Sequence, residues 1–204
     1  MKKVIFILCA LCALSSCRGI PNDVKKAFTY CYADVYTGID TLINTDGYYN
    51  RRTFFYKNGL VVEGYYPERD HLELQKLKEF SEERFTSMYF IGIYRIYGDT
   101  LKIQYIRETQ SLNDAGSGME KWYKIIDKNT MLCINDFNNT TIERELSKSY
   151  PSDIGDTLRF VPVSVKIPQP NDNLLKRKWF WCNEQDWENY MKHFKQAKQQ
   201  FKKK

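Results

Sequence analysis

Apolar and polar positions alternate along the middle of the chain, most regularly between residues 101 and 105. Leu101, Ile103 and Tyr105 occupy one phase of the alternation, and Lys102 and Gln104 occupy the other. A period of two is typical of a β-strand with one buried and one solvated face. Because several stretches of this kind follow one another with turn residues between them, the pattern predicts a mainly β domain.

Turn residues join the predicted strands into hairpins. Asn58-Gly59 is the clearest example, because asparagine and glycine readily adopt the positive φ angles of a type I′ turn. The predicted hairpins and strands are Phe54 to Val62, Ile91 to Ile106 with Gly98-Asp99 at its turn, Lys121 to Ile134 around Asp127 to Asn129, and Ile154 to Val165. A first short strand is expected before Asp46-Gly47, and Pro162 predicts that the last strand lies at a sheet edge. Roughly eight strands in serial order favour an antiparallel meander that forms a barrel or a strongly curved sheet.

Two segments have helical spacing instead. Pro67 to Phe85 is highly charged and predicts a mid-chain surface helix. Glu184 to Phe201 predicts a C-terminal amphipathic helix, whose apolar stripe consists of Trp187, Tyr190, Met191, Phe194, Ala197 and Phe201. We expect the stripe to pack on the domain itself and the last residues, from Gln199, to be frayed and solvated. The alternative is that the stripe binds a membrane or a partner.

The first residues have the pattern of a secretory signal. Met1-Lys2-Lys3 is positively charged, and Val4 to Leu14 is an unbroken apolar run. A helix that spans a bilayer needs ~20 apolar residues, so this run is too short to remain in the membrane. A positive start, a short apolar core and small residues before a cleavage point predict a signal peptide over residues 1–16.

Leu14-Ser15-Ser16-Cys17 resembles the lipobox of bacterial lipoproteins, in which two small residues separate a leucine from a cysteine. The resemblance implies cleavage before Cys17, a diacylglycerol on its thiol and an acyl group such as palmitate on its new amino group. Two or more acyl chains hold a soluble domain stably at a membrane, whereas a single chain binds only reversibly. Arg18 stands where an aspartate would resemble an inner-membrane retention signal, so the outer membrane of the cell envelope is the expected location.

The mature chain would contain 188 residues, from Cys17 to Lys204, which is enough for one ordinary domain. Residues 17–30 are expected to form a lipid-anchored tether, and residues 31–204 a single β-rich domain that includes the C-terminal helix. Loss of the leader removes two lysines and lowers the net charge from +6 to +4. Nine basic and three acidic residues lie between Lys176 and Lys204, so the excess charge belongs to this tail rather than to a nucleic-acid-binding face.

Three cysteines would remain in the mature chain besides Cys17: Cys31, Cys133 and Cys182. Three thiols cannot all pair within one chain, and no CxxC spacing among these three indicates a metal or redox site. One disulfide is compatible with an oxidising envelope, but partly buried free thiols are the state that we expect. A cysteine nucleophile would need a nearby base, and the two histidines both fall in predicted surface helices.

The order of strands and turns resembles the lipocalin-like lipoproteins of bacteria. The resemblance rests on the serial turns and on the stretches "YFIGIYRIYGDTLKIQYI" and "KWYKIIDKNTMLCI", and it covers residues 36–165. It implies an up-and-down barrel with a ligand cavity, and therefore a lipid-anchored, non-catalytic binding module for a small apolar or glycan ligand. The alternative function is an accessory subunit that docks onto an envelope assembly through strand edges or the C-terminal helix.

The chain carries no sequence motif of an enzyme. GxSxG, HExxH, Walker A and GxGxxG sequences are absent, and the stretch Asn135 to Glu145 lacks the central glycine of an EF-hand loop. We therefore expect no catalytic residue, cofactor or metal ion. Three Asp-Thr-Leu sequences resemble the O-glycosylation sequence of one group of gut anaerobes, which makes Thr41, Thr100 and Thr157 candidate glycan sites. The same residues are also typical of a turn that leads into a strand.

Overall fold

Eight antiparallel strands close into a barrel in the part of the chain that the computed structural model describes, which comprises residues 20, 22–33, 41–50, 53–64, 89–107, 117–138, 153–162 and 174–201. The strands are β1 Gly47–Tyr49, β2 Thr53–Phe55, β3 Leu60–Gly64, β4 Tyr89–Tyr97, β5 Thr100–Arg107, β6 Ser117–Asp127, β7 Thr130–Asn138 and β8 Thr157–Pro162. Helix α1 spans Asn22–Ala27, helix α2 spans Glu184–Phe201, and a 3-10 helix spans Lys178–Phe180.

Each strand pairs with its neighbours in sequence, and β8 returns to β1, so the predicted meander and barrel are confirmed. One detail of the prediction is wrong, and another is tested only in part. Residues 41–43 form a tight turn, and β1 begins after Asp46, at Gly47, whereas residues 34–40, where a strand before Asp46 could also lie, are outside the described part. Pro162 does not mark an edge, since β8 pairs with both β7 and β1. Pro162 is the last residue of β8 and lies beyond the end of β7, where its missing N–H breaks no pairing with that strand.

The predicted turns lie between the predicted strands, but the Asn58-Gly59 turn has a different form. Tyr56 and Leu60 close a three-residue loop through the bond from Tyr56 N to Leu60 O, at 2.9 Å, and Gly59 N donates to Tyr56 O at 3.0 Å. This is a β-turn centred on Lys57-Asn58, followed by Gly59 at φ 83°, rather than a two-residue type I′ turn. The Gly98-Asp99 turn does have two residues, as predicted.

The barrel has two different ends. The short turns β2–β3, β4–β5 and β6–β7 lie at one end, which we call the turn end. The last residues of β3, β5 and β7 lie at the opposite end, which we call the loop end because longer connections leave from it. The segment 41–46 covers the turn end: Ile43 is fully buried, and the Asn44 side chain donates to Lys128 O at 3.2 Å.

Apolar side chains fill the interior of the barrel near the turn end. Tyr49, Tyr94 and Leu101 have no accessible surface, which means that no water-sized space adjoins them. Among the described residues, the buried members of the interior cluster are Ile43, Tyr49, Phe55, Val61, Tyr94, Leu101, Ile103, Tyr105, Tyr123, Met131, Cys133 and Leu158. Leu101, Ile103 and Tyr105 therefore point inward together, as the alternation predicts.

A second apolar layer lies outside the barrel, where both terminal segments cover β2 to β5. It joins Val24 of the N-terminal segment and Phe180 of the C-terminal segment to barrel residues such as Val62 and Ile93. Tyr32 pairs with Trp181 in a parallel bridge, with Tyr32 N donating to Phe180 O at 2.7 Å. The segments around Tyr32 and Trp181 are thus held side by side on one face of the barrel.

A disulfide joins the same two segments and corrects the expectation of free thiols. Cys31 and Cys182 are bonded, although 151 residues separate them in the sequence. Cys133 is a buried free thiol, as expected. The structure therefore shows one disulfide within the chain, which was the alternative to free thiols.

The face of β5 that was expected to be solvated is covered instead. Gln104 is fully buried, since its side-chain oxygen accepts hydrogen bonds from the backbone N–H groups of Thr29 and Tyr30, each at 2.9 Å. Its side-chain nitrogen donates to Glu120 at 2.7 Å. Gln104 thus satisfies the backbone of the N-terminal segment where that segment crosses the barrel.

Helix α2 has the predicted boundaries, and the first part of its stripe packs on the protein. Trp187 and Tyr190 contact the outer apolar layer, and Trp187 Nε1 donates to Lys176 O at 3.2 Å. The helix continues through Phe201, so the fraying expected from Gln199 is not seen up to that residue. No described helix is long and apolar enough to cross a membrane.

Several predictions concern residues outside the described part of the chain. They include the signal peptide, Cys17 and the mid-chain helix from Pro67 to Phe85. The predicted tether is described only at residue 20 and from residue 22 onward. There, Ile20 and Val24 are buried against the barrel, so these residues belong to the packed structure.

Candidate functional site

A charged group of side chains lies inside the barrel, between the filled interior and the loop end. At its centre, Lys121 Nζ is 3.0 Å from Glu63 Oε1 and 3.0 Å from Asp153 Oδ2. Lys121 points inward because it shares the phase of Met119 and Tyr123 on β6. We call Glu63, Lys121, Asp136 and Asp153, together with Tyr105 and Tyr123, the lumen cluster.

A β-bulge turns Asp136 into this cluster. On β7, Cys133 pairs with Tyr123 and Asn135 with Trp122, so one extra residue, Ile134, interrupts the alternation. Cys133 and Asp136 therefore both face the interior, although they are three positions apart. Bulges commonly redirect side chains in this way next to functional sites.

Two buried polar atoms of the lumen cluster lack a hydrogen-bond partner. They are Tyr105 Oη and Asp136 Oδ1, in residues that are 1 % and 6 % exposed. The Glu63 carboxylate adjoins the Tyr105 hydroxyl, but without the geometry of a full hydrogen bond. A buried polar group without a partner costs about 1–3 kcal/mol, so two in one place require an explanation.

Electrostatics in the cluster favour a charged lysine and disfavour further negative charge. Burial lowers the pKa of Lys121, but Glu63 and Asp153 outweigh this effect, so the pKa is raised above its usual value. Burial raises the pKa of Asp136, and Asp153 adds to the increase while Lys121 opposes it. Burial also raises the pKa values of Tyr105 and Tyr123, so both phenols stay protonated near neutral pH.

Cys133 lies beside the cluster but is poorly suited to act as a nucleophile. Burial, with Asp136 and Asp153 adding to it, raises the pKa of its thiol to about 12. A cysteine reacts as its thiolate, and this environment suppresses the thiolate. The described residues also contain no group of three or more His, Cys, Asp or Glu side chains arranged to hold a metal ion.

Exposure increases toward the loop end. The side chain of Lys121 is 5 % exposed, whereas Glu63 and Asp153 are 16 % and 18 % exposed. The cluster can thus be reached from the side of the two carboxylates. Its hydrogen-bonding atoms and aromatic rings are groups that can contact a small polar molecule.

The candidate glycan sites lie elsewhere on the barrel, and each remains a prediction. Thr41 is exposed in the segment that covers the turn end. Thr100 follows the Gly98-Asp99 turn, and its hydroxyl donates to Asp99 at 3.1 Å. Thr157 is the first residue of β8 and is half-buried. The structure does not bring the three residues together with the lumen cluster.

Sequence reasoning missed the charged members of the lumen cluster. A charged residue at a position that alternates with inward-facing apolar residues would have indicated a charge inside the barrel. Glu63, two residues after Val61, and Lys121, two residues before Tyr123, are such positions. In β6, the sequence does not show which residues face inward, because the neighbouring Trp122 is an aromatic residue that is acceptable on either face of a strand. For Asp136 no such signal existed, because the bulge reverses the phase.

The chain matches no protein-family model, curated protein or solved structure with which it was compared.

Proposed function

We propose that this protein is a lipid-anchored, non-catalytic binding module of the cell envelope, whose barrel holds a small polar ligand in the lumen cluster. The observation that carries the proposal is the pair of unpartnered buried atoms, Tyr105 Oη and Asp136 Oδ1, beside charged groups inside the barrel. Such atoms are usually satisfied by a ligand or by ordered water.

The filled interior narrows the choice of ligand. The apolar side chains near the turn end, among them Tyr49, Tyr94 and Leu101, leave no water-sized space beside them. An apolar ligand would match only the apolar walls found there, whereas a glycan unit could place hydroxyl groups on the carboxylates and phenols of the lumen cluster. Of the two ligand classes expected from the sequence, the glycan is therefore the better supported.

The path of the N-terminal segment relates the site to the proposed lipid. Residues 29 and 30 bond to Gln104, and Cys31 O accepts from Arg95, which lies nearer the turn end on β4. Traced backward, the chain thus runs toward the loop end, and α1 contacts β6. Only two residues separate Cys17 from Ile20, so a lipid on Cys17 would hold the loop end near the membrane surface.

Native mass spectrometry of the protein isolated from its own envelope tests the ligand. We expect a small bound molecule on the wild type and its loss from Tyr105→Phe, which removes the unpartnered hydroxyl but keeps the ring. Tyr97→Phe is the control, since Tyr97 is 56 % exposed and lies at the turn end. A protein without a bound molecule, or with equal occupancy in both variants, would contradict the proposal.

The lipid anchor has a separate test. A labelled fatty acid should enter the wild type and be absent from Cys17→Ser. Equal labelling of the two proteins would refute lipidation at Cys17 and leave the ligand proposal intact.

A second candidate function, docking to an envelope partner, is favoured by exposed apolar side chains at the turn end. Leu42, Tyr97 and Ile126 are 40 %, 56 % and 56 % exposed. Cross-linking in intact cells should detect a partner that Ile126→Asp loses. Ile154→Asp is the control, because Ile154 is also exposed but belongs to the turn before β8. Identical cross-links in both variants would exclude this surface.

A further inference from the structure

The lumen cluster contains more negative than positive groups. Three carboxyl groups, of Glu63, Asp136 and Asp153, surround the single ammonium group of Lys121. Glu63 and Asp153 occupy the lysine donors, through contacts of 3.0, 3.3 and 3.0 Å. Asp136 makes no ion pair with Lys121 and keeps one oxygen without a partner. The cluster therefore has an acceptor atom that no described residue satisfies, and its carboxyl groups outnumber its ammonium group.

We infer that the ligand presents a primary ammonium group to Asp136 and Tyr105, as an amino sugar would. This inference rests on the proposed function, because it names the ligand class for the same site. An ammonium group has three N–H donors and a positive charge, so it can satisfy Asp136 Oδ1 and the oxygen of the Tyr105 hydroxyl together.

Several features of the site distinguish a cation from a neutral or an acidic ligand. A hydrogen bond to an ionised group is about twice as strong as one between neutral groups, so an ammonium group is favoured over a hydroxyl at Asp136. Lys121 Nζ already lies 5.9 Å from the centre of the Tyr105 ring, and an aromatic face is compatible with a cation. Lys121 would repel the incoming charge, but its own charge is already paired with two carboxylates. A ligand carboxylate would add a fourth negative group.

Two simpler states could also satisfy the cluster. Asp136 could be protonated, since burial raises its pKa. An ordered water molecule could bridge the unpartnered atoms, as buried waters often do. In either state the site would show no preference for a cation.

Three sugars that differ in one substituent separate these possibilities. D-glucosamine, D-glucose and D-glucuronate would be titrated into the purified full chain, with NMR shifts of tyrosine rings as the readout. We expect D-glucosamine to bind at least about tenfold more tightly than D-glucose, as a charged hydrogen bond implies, and D-glucuronate to bind most weakly. The shifts should include the rings of Tyr105 and Tyr123.

Asp136→Asn tests whether the negative charge of Asp136 is responsible for the preference, because asparagine has nearly the same shape as aspartate but no charge. This variant should lose the preference for D-glucosamine and bind D-glucose as the wild type does. The matched control is Asp99→Asn, whose carboxylate is 63 % exposed at the turn end and should not affect binding. Tyr105→Phe is a second variant, which should weaken D-glucosamine binding while leaving the fold unchanged.

The outcomes distinguish this inference from the proposed function. Equal binding of D-glucosamine and D-glucose in the barrel would overturn the ammonium assignment and leave the glycan site standing. Absence of binding by all three sugars, in a protein that carries another small molecule when isolated, would also overturn the assignment alone. Absence of both would mean that water or a proton fills the site, and both proposals would fail.

Discussion

Asp136 shows how strongly its surroundings determine the behaviour of one residue. Its carboxyl group is taken out of water into a space that already holds Glu63 and Asp153, so the neutral form gains relative to the charged one. The same surroundings suppress the thiolate of Cys133. A side chain that titrates as an ordinary aspartate on the surface becomes, at this position, a group that requires a proton or a cation.

Asp136→Asn should therefore change how stability depends on pH. The pKa of Asp136 in the folded protein lies above the ordinary value of 3.8, so Asp136 loses its proton in the unfolded chain first as the pH rises. The wild type therefore loses stability between the unfolded-state pKa and the folded-state pKa of this residue. Asparagine does not titrate, so the variant should be more resistant to urea than the wild type near pH 7, with the difference disappearing below about pH 4. A pH-independent difference between the two proteins would show that Asp136 is not perturbed in this way.

At the scale of elements, α2 is attached through one stripe and through the segment that precedes it. The Tyr190 ring lies 5.3 Å from the Trp181 ring, and Lys176 Nζ lies 4.6 Å above the Phe194 ring. These contacts are with the segment 176–181, whose Phe180 and Trp181 are buried in the apolar layer outside the barrel. The helix thus extends the outer apolar layer, and its lysines at positions 192 and 195 face solvent.

Removing the stripe should destabilise the protein if this docking is its main role. Trp187→Ala combined with Phe194→Ala should lower the free energy of unfolding by about 2–3 kcal/mol, less than for fully buried rings because both are half-buried. Truncation after Gln196 is the control and should change stability little. Unchanged stability of the double variant, together with lost binding to anionic vesicles, would favour the membrane alternative instead.

At the scale of the whole molecule, the two termini form a clasp on the barrel. The bridge between Tyr32 and Trp181, the T-shaped contact of their rings at 4.8 Å and the Cys31–Cys182 disulfide all lie within a few residues of one another. The disulfide closes a loop that contains the entire barrel. The clasp therefore restricts the unfolded chain over most of its length.

Loss of the clasp disulfide should cost about 2–5 kcal/mol of unfolding free energy. Replacing either cysteine removes the same disulfide. The melting temperatures of Cys31→Ser, Cys182→Ser and the double variant should therefore be the same. Additive effects of the two single variants would show that each cysteine contributes through packing rather than through the bond. Far-ultraviolet circular dichroism should still show the strands, since the barrel hydrogen bonds do not involve the clasp.

Local signals in the sequence were sufficient for the strands and for the type of sheet. The alternation in β5 depends only on which residues avoid water, and the Gly98-Asp99 turn depends only on backbone freedom. Helix α2 likewise could be predicted to the residue from its apolar period. These features arise from interactions between residues that are close in the chain.

The tertiary structure alone decided the site and the clasp. Lys121 meets Glu63 and Asp153 only because the barrel closes, and Asp136 joins them only because a bulge at Ile134 shifts the phase of β7. The burial of Gln104 and the pairing of cysteines 151 residues apart depend on where the terminal segments cross the barrel. The pattern of apolar and polar residues shows which side chains avoid water. It does not show which residues, distant in the sequence, are buried next to one another in the folded protein.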